Sequence, residues 1–190
     1  MTVRFLDLPL ATARGRVFTP RPATERLVQA ALARIGDEPA RVADVGTGSG
    51  AIAVALAIRA PQVEIWATDS SEDAVELALE NAWRLGVDDR VEVRVGDLLE
   101  GLPRELDLVL ANLPYLPEAA PDRRYADEPH DAVYARGDGL GPYRRLLAQA
   151  ADRLVPGGGV IVQLHGRILE AERHELPLLA AQLEQHAAAA

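Results

Sequence analysis

The sequence predicts an α/β fold built on one mainly parallel sheet of strand order 3-2-1-4-5 with helices on both faces, and three observations carry that prediction. Short Val-, Leu- and Ile-rich stretches alternate with stretches of helical period, the pattern of parallel strands joined by right-handed crossovers. One of those strands, around Arg41 to Val45, runs straight into a glycine-rich turn, Gly46-Thr47-Gly48-Ser49-Gly50, that opens a helix. The next strand ends on an acid, Asp69, the place of a ribose-binding carboxylate in doubly wound sheets. The 190 residues, 48% of them hydrophobic, suffice for a single domain over residues 1–190.

Taken in order, Val3 to Thr12 and Gly15 to Phe18 are short apolar stretches expected to pair, making residues 1–22 a β-hairpin and the segment leading into the site. Two prolines in TPRPATE, residues 19–25, stop any strand. Thr24 is then expected to cap a helix whose apolar stripe is Leu27, Ala31 and Ile35 and whose end is Gly36. The run from Ala51 to Ala60 is apolar almost all round, as in a helix buried against a sheet, and Pro61 ends it. VEIWATD from Val63 gives the second central strand. Ser70 is expected to cap the following helix, AVELALENAWRLG, and to leave Asp69 free for a ligand.

Val91 to Val95 alternates as a third strand, and Asp97 and Leu98 follow at the same sheet end. Residues 106–112 form a fourth strand that stops at Asn112. From residue 113 to 138 no periodicity is convincing and prolines recur, so this segment is expected to be a lid loop leaving the carboxyl end of strand 4. Gly139 to Val155 resumes a helix with Pro142 in its first turn, and VIVQLHG after PGGG is the fifth strand. No strand is expected after residue 166, which leaves strand 5 as a sheet edge. With this order the topological reversal falls between strands 1 and 4, so the glycine turn and Asn112 are expected to face one crevice.

Composition removes whole classes of chemistry. The chain has 20 basic and 29 acidic residues, a net charge of −9, which disfavours non-specific binding to nucleic acid phosphates. Every basic residue is an arginine, so mechanisms that need a lysine are excluded. There is no cysteine, hence no disulfide framework and no thiolate nucleophile or metal ligand, and the cytosol is the expected compartment. Neither a signal segment nor a membrane span is indicated. His130, His165, His174 and His186 lack the i, i+4 spacing of a helical metal pair, and no metal site is expected.

Asn112-Leu113-Pro114-Tyr115 is the most specific stretch. An asparagine oxygen at a strand end and the next backbone carbonyl can together accept both hydrogens of a planar –NH₂ group, and an aromatic ring can stack on its plane. Leu113 precedes proline and is therefore pushed to an extended conformation that turns its carbonyl toward the crevice. Such a site needs no strong base, because its work is to hold a nitrogen lone pair toward an electrophile.

The stretches DVGTGSGAIA, ATDSSEDAVELALENAWRLG, VRVGDLLE, LVLANLPYLP, EPHDAVYARGDGLGPYRRLL and PGGG resemble the class I S-adenosylmethionine (SAM) methyltransferases. More closely, with LPLATARGRVFTPRPATE, they resemble the glutamine N5-methyltransferases of peptide-chain release factors, the HemK/PrmC type, over roughly residues 5 to 166. The resemblance implies a Rossmann-like fold, SAM as cofactor with S-adenosylhomocysteine as product, and a protein substrate such as a release factor. It assigns Gly46, Thr47, Gly48, Ser49 and Gly50 to the cofactor's methionine part, Asp69 to its ribose, and Asp97 and Leu98 to its adenine, with Asp44 also in the cofactor site. Asn112 would border the cofactor as well and, with Leu113, Pro114 and Tyr115, hold the substrate amide. Leu113 stands where the family usually has proline, which keeps the carbonyl and is expected to loosen the loop. The family's helical N-terminal domain and the last two strands of its fold are not expected here.

Three other readings use the same residues. A nucleic-acid methyltransferase acting on adenine N6 or guanine N2 would need Arg123, Arg124, Arg136, Arg144 and Arg145 to form a basic patch. A dinucleotide oxidoreductase would read Gly46, Gly48 and Ala51 as GxGxxA. A SAM-binding module without catalysis is the third.

Overall fold

Six strands hydrogen-bond into a central sheet in the computed structural model, which describes residues 1–188, with side chains described through Leu183. In chain order the elements are β1 (Thr2–Phe5), β2 (Leu8–Ala11), α1 (Pro22–Ile35), β3 (Ala40–Val45), α2 (Ala51–Arg59), β4 (Val63–Asp69), α3 (Glu72–Arg84) and β5 (Val91–Val95). There follow β6 (Leu106–Ala111), β7 (Leu116–Pro117), α4 (His130–Val133), β8 (Tyr134–Ala135), α5 (Gly141–Ala151), β9 (Leu154–Leu164), β10 (Arg167–Glu172) and α6 (Leu176–Ala188). The sheet order is β10-β9-β6-β3-β4-β5, and only β10 runs antiparallel to its neighbour. From β5 to β9 this is the expected 3-2-1-4-5 arrangement.

The apolar strands are buried on both faces, as parallel strands under two helical layers must be. Val42, Leu108, Leu110 and Ile161 pack with α1 and α2 on one face. Ala43, Val109, Val160 and Val162 pack with α5 and α6 on the other. Along β6 and β9 alternate residues therefore face opposite helical layers, and the register Ala111↔Val162 carries the same alternation to the strand ends.

Four expectations are corrected. The hairpin closes within residues 2–11, not against Gly15 to Phe18: Leu6 and Asp7 both have positive φ (46° and 66°), a two-residue turn whose twist suits the flanking strands. Residues 15–18 turn inward instead and bury Val17. The first helix starts at Pro22, with no side-chain cap, and Thr24 lies buried in its first turn. After residue 166 the chain forms β10, joined to β9 through His165 and Gly166, both at positive φ (48° and 73°). The Leu, Glu and Ala of β10 favour a helix locally, but pairing along an open edge wins. Strand 5 is thus covered.

The lid, residues 113–138, contains more structure than its sequence announces: β7 and β8 pair in parallel, a 3₁₀ turn spans Arg123–Tyr125, and α4 follows. Among the described residues no helix is long and apolar enough to cross a membrane, and no group of three or more His, Cys, Asp or Glu is arranged to hold a metal.

Candidate active site

The carboxyl ends of β3, β4, β6 and β9 open on one cavity of about 740 Å³, closed above by residues 16–24 and by the lid. Gly46, Thr47, Gly48, Ser49, Asp69, Asp97, Leu98 and the whole run Asn112 to Tyr115 line it. Asp44 and Gly50 do not. Of the sequence-selected residues these two lie behind the wall.

The three glycines of the turn do different jobs. All have positive φ, but a Cβ on Gly46 would meet Leu113 Cδ2 at 2.7 Å, and one on Gly50 would meet Ala78 of α3 at 3.1 Å. These two serve protein packing. Only Gly48 turns toward open space, its nearest neighbour being Val17 Cγ1 at 4.0 Å, so it is the glycine at which a ligand can approach the backbone.

Asp44 is wholly buried beneath the turn. Its Oδ2 accepts from Thr47 Oγ1 (2.7 Å) and Ala53 N (3.1 Å), while Oδ1 has no partner among the described residues. Burial pushes its carboxyl up to about 7, against the lowering effect of the Thr47 and Ala53 bonds. A folded-state value above that of the unfolded chain means that the unfolded chain gives up its proton first as pH rises. Stability is then expected to fall between about pH 4 and pH 7 and to level off above. Asp44→Asn removes the titrating group at constant shape, so its denaturant midpoint should change less between pH 5 and pH 8 than the parent's does.

Asp69 ends β4 with both oxygens engaged: Oδ2 accepts from Gly48 N at 2.9 Å and Oδ1 from Ser71 N at 3.0 Å. It is not the unencumbered carboxylate that the sequence suggests, since it also fixes the glycine turn. Burial raises its pKa, and the backbone N–H bonds oppose that rise. The helix cap is Ser71, whose Oγ accepts from Ala74 N, rather than Ser70. Asp97 is ion-paired with Arg145 of α5, and Leu98 sits at positive φ (55°) with its carbonyl accepting from Thr68 Oγ1 at 2.7 Å.

Asn112 leaves β6 on the α1 side, lines the cavity and gives Nδ2 to Thr24 Oγ1 at 3.4 Å, while its Oδ1 has no hydrogen-bond partner among the described residues. Leu113 is anchored rather than loose. Its N–H donates to the buried hydroxyl of Tyr143 (3.1 Å), its carbonyl lies 3.1 Å from the same hydroxyl, and its side chain is buried against Gly46. The Tyr143 hydroxyl has one proton and lies closer to Gln163 O, at 2.6 Å, so the Leu113 carbonyl keeps accepting capacity. Tyr115 tilts over His165, ring centroids 4.8 Å apart, and its phenol is pushed up to about 12, mainly by burial. It is neutral at physiological pH.

The lid is tied to the first helix's approach by Glu128, whose side chain is only 5% exposed: Oε1 meets Arg21 Nη2 at 2.5 Å and Oε2 accepts from Thr19 N at 2.9 Å. Arg14 and Asp127 pair beside it at 2.5 Å. Thr24, Tyr143, Gln163 and Glu128 were not selected from the sequence as site residues. Each acts through a contact across 20 to 109 residues, which no local pattern encodes. Of the arginines needed for a basic patch, Arg124 faces Asp122, Arg144 faces Asp138 and Arg145 faces Asp97.

The chain is similar to known proteins. Release factor glutamine methyltransferase of Deinococcus radiodurans is 44% identical over 178 residues, covering 90% of this chain and 60% of that protein. The protein of that name from Escherichia coli K12 is 37% identical over 166 residues, covering 85% of this chain and 59% of the relative. The chain thus spans about 60% of the length of these relatives. Among solved structures, ribosomal protein L11 methylase from Lactobacillus delbrueckii subsp. bulgaricus superposes with a TM-score of 0.57 at 23% identity, covering 91% of this chain and 72% of that one. That likeness shows a shared Rossmann-like fold. Residues 21–128, which hold the glycine turn, Asp69 and the Asn112 run, match the methyltransferase small domain, and the chain belongs to that family.

Proposed function

We propose that the chain is a SAM-dependent N-methyltransferase whose acceptor is a planar carboxamide, the side chain of a glutamine in a protein, with a peptide-chain release factor as the favoured substrate. The observation that carries this reading is Asn112 at the cavity wall: its Nδ2 is engaged by Thr24, and its Oδ1, unpartnered among the described residues, is left to accept from a substrate. The relatives' names supply the substrate class.

The cavity suits the cofactor. Its volume falls in the range of small-molecule sites, about 300 to 1,000 Å³. Gly48 allows close backbone approach, and Asp69 keeps lone pairs beyond its two backbone bonds to receive ribose hydroxyls. When bound, SAM supplies an electrophilic methyl group on a sulfonium. Asn112 Oδ1 and the Leu113 carbonyl accept the two N–H bonds of the acceptor and hold its lone pair toward that methyl. Tyr115, neutral and tilted on His165, covers the amide plane. The lid excludes water. A release-factor substrate would put the reaction in the cytosol, with neither nucleic acid nor membrane as partner, and the arginine–carboxylate pairs around the lid support the former exclusion.

Labelled SAM incubated with the chain and a glutamine-containing peptide should yield label on the amide nitrogen, read by mass fragmentation. Label on oxygen, sulfur or carbon, or on a nucleic acid offered alongside, would refute the reading. Asp69→Ala is expected to weaken SAM binding by about 10-fold or more in calorimetry, since it removes both a ligand contact and the tie on Gly48. Unchanged affinity would reject the ribose assignment.

A further inference from the structure

Beside Asn112 lies a second primary carboxamide for which neither the fold nor the proposed chemistry yet accounts. Gln163 is 4% exposed, yet it borders the cavity. Among the described residues its buried Oε1 has no hydrogen-bond partner and its Nε2 makes no bond either. A buried carbonyl oxygen left unpaired costs stability, about 1 to 3 kcal/mol, whereas the Nε2 end is not buried and opens on the cavity. Such a cost persists where a ligand supplies the missing partners.

Its placement says which ligand. Ala111 pairs with Val162, so one step further Asn112 and Gln163 leave neighbouring strands together. Ile161, two residues before Gln163, packs on the α1–α2 layer, and Asn112 reaches Thr24 of α1, so both amides lie on the α1 side of the sheet. The Tyr143 hydroxyl fixes their spacing, because it takes the Leu113 N–H and binds the Gln163 carbonyl oxygen. Two acceptor oxygens and one free NH₂ group therefore converge on the same end of the cavity.

We propose that Gln163 is a substrate-contacting specificity residue that pairs edge to edge with the acceptor carboxamide, its Oε1 accepting one N–H and its Nε2 donating to the acceptor's carbonyl oxygen. Asn112 Oδ1 takes the other N–H. The N–H facing Gln163 is shared with the Leu113 carbonyl as a three-centre bond. The pairing recognises a nitrogen only when a carbonyl oxygen stands beside it, and so selects a side-chain amide over an alkyl amine. Both N–H bonds stay in the amide plane, which leaves the lone pair directed out of that plane. This inference rests on the glutamine reading above.

The test uses the full chain, SAM and a short peptide with a single glutamine, comparing the parent with Gln163→Met, which keeps the side chain's length and removes both polar atoms. The expected result is a KM for the peptide raised about 10-fold or more and kcat/KM lowered about 10- to 100-fold, as when a buried polar contact to substrate is lost. SAM affinity should stay within about 2-fold and the melting temperature should hold or rise, because an unpaired buried amide has been replaced by an apolar group. Peptide kinetics equal to the parent's would overturn the inference. So would a fall in melting temperature or SAM affinity that accounts for the whole loss, since Gln163 would then be structural. If the parent itself transfers no methyl to the peptide, the glutamine reading fails and takes this inference with it.

Discussion

Asn112→Ala is expected to slow methyl transfer by about 100-fold while SAM affinity changes by no more than a few-fold. The magnitude is that of losing one positioned transition-state contact, roughly 2.7 to 4 kcal/mol. The asymmetry follows from the proposed roles, because Oδ1 would meet the acceptor nitrogen whereas the cofactor's expected partners, Gly48 and Asp69, lie at the ends of other strands. Single-turnover rates at saturating SAM isolate the step. Thr24→Val, which removes only the group that orients Asn112, should produce a smaller loss in the same direction. Near-parental turnover in Asn112→Ala would mean that the amide is held elsewhere.

Gly139→Ala is expected to damage the protein more than any other single-methyl change near the site. Gly139 has φ of +84°, and a Cβ there would overlap the Tyr115 carbonyl oxygen and lie 2.8 Å from its carbonyl carbon. Those are backbone atoms that no rotamer change can move, so either the turn before α5 or the Tyr115–Leu116 peptide must shift. The expected cost is about 3 kcal/mol, combining the left-handed conformation with the overlap. For a chain of this size that corresponds to a melting temperature lower by roughly 6 to 12 °C in a calorimetric scan. Gly137→Ala is the control, with φ of +66° and nothing within 4 Å of its Cβ position. It should cost only about 1 kcal/mol. Equal losses in the two variants would show that the conformational term alone is at work.

Local periodicity and turn chemistry made the sheet legible. The buried pattern of Val42, Ala43 and Val45, the glycine turn and the acid ending β4 are all short-range signals, and the order from β5 to β9 follows from how such units pack. What the sequence hid depends on distant partners. β10 consists of helix-forming residues that became a strand because β9 offered an open edge. The hairpin was misplaced because its turn, Leu6-Asp7, contains none of the glycine or asparagine that usually marks positive φ. Within the site, Asn112 to Tyr115 stood out as a run, but Tyr143 read as one more helical apolar residue and Gln163 as a strand residue. Their meaning lies in one hydroxyl shared between strands. Leu113 shows the same limit: it looked like a loosening substitution, yet its N–H and side chain are both fastened.

The Glu128 clasp bears on the order in which the site is completed during the chain's own synthesis. The ribosome delivers residues in order, and Thr19 and Arg21 emerge more than 100 residues before the carboxylate that binds them. Until then the segment leading into α1 has no lid to close against. Residues 16–24, the glycine turn, Asp69 and even Asn112 are all made before the lid, and β9 with Gln163 and His165 after it, so a nascent chain holds a half-covered and incomplete cavity. A cavity open to water would leave the acceptor amide solvated. The proposed activity therefore awaits a contact of very long sequence separation, one of the slower kinds to form in folding.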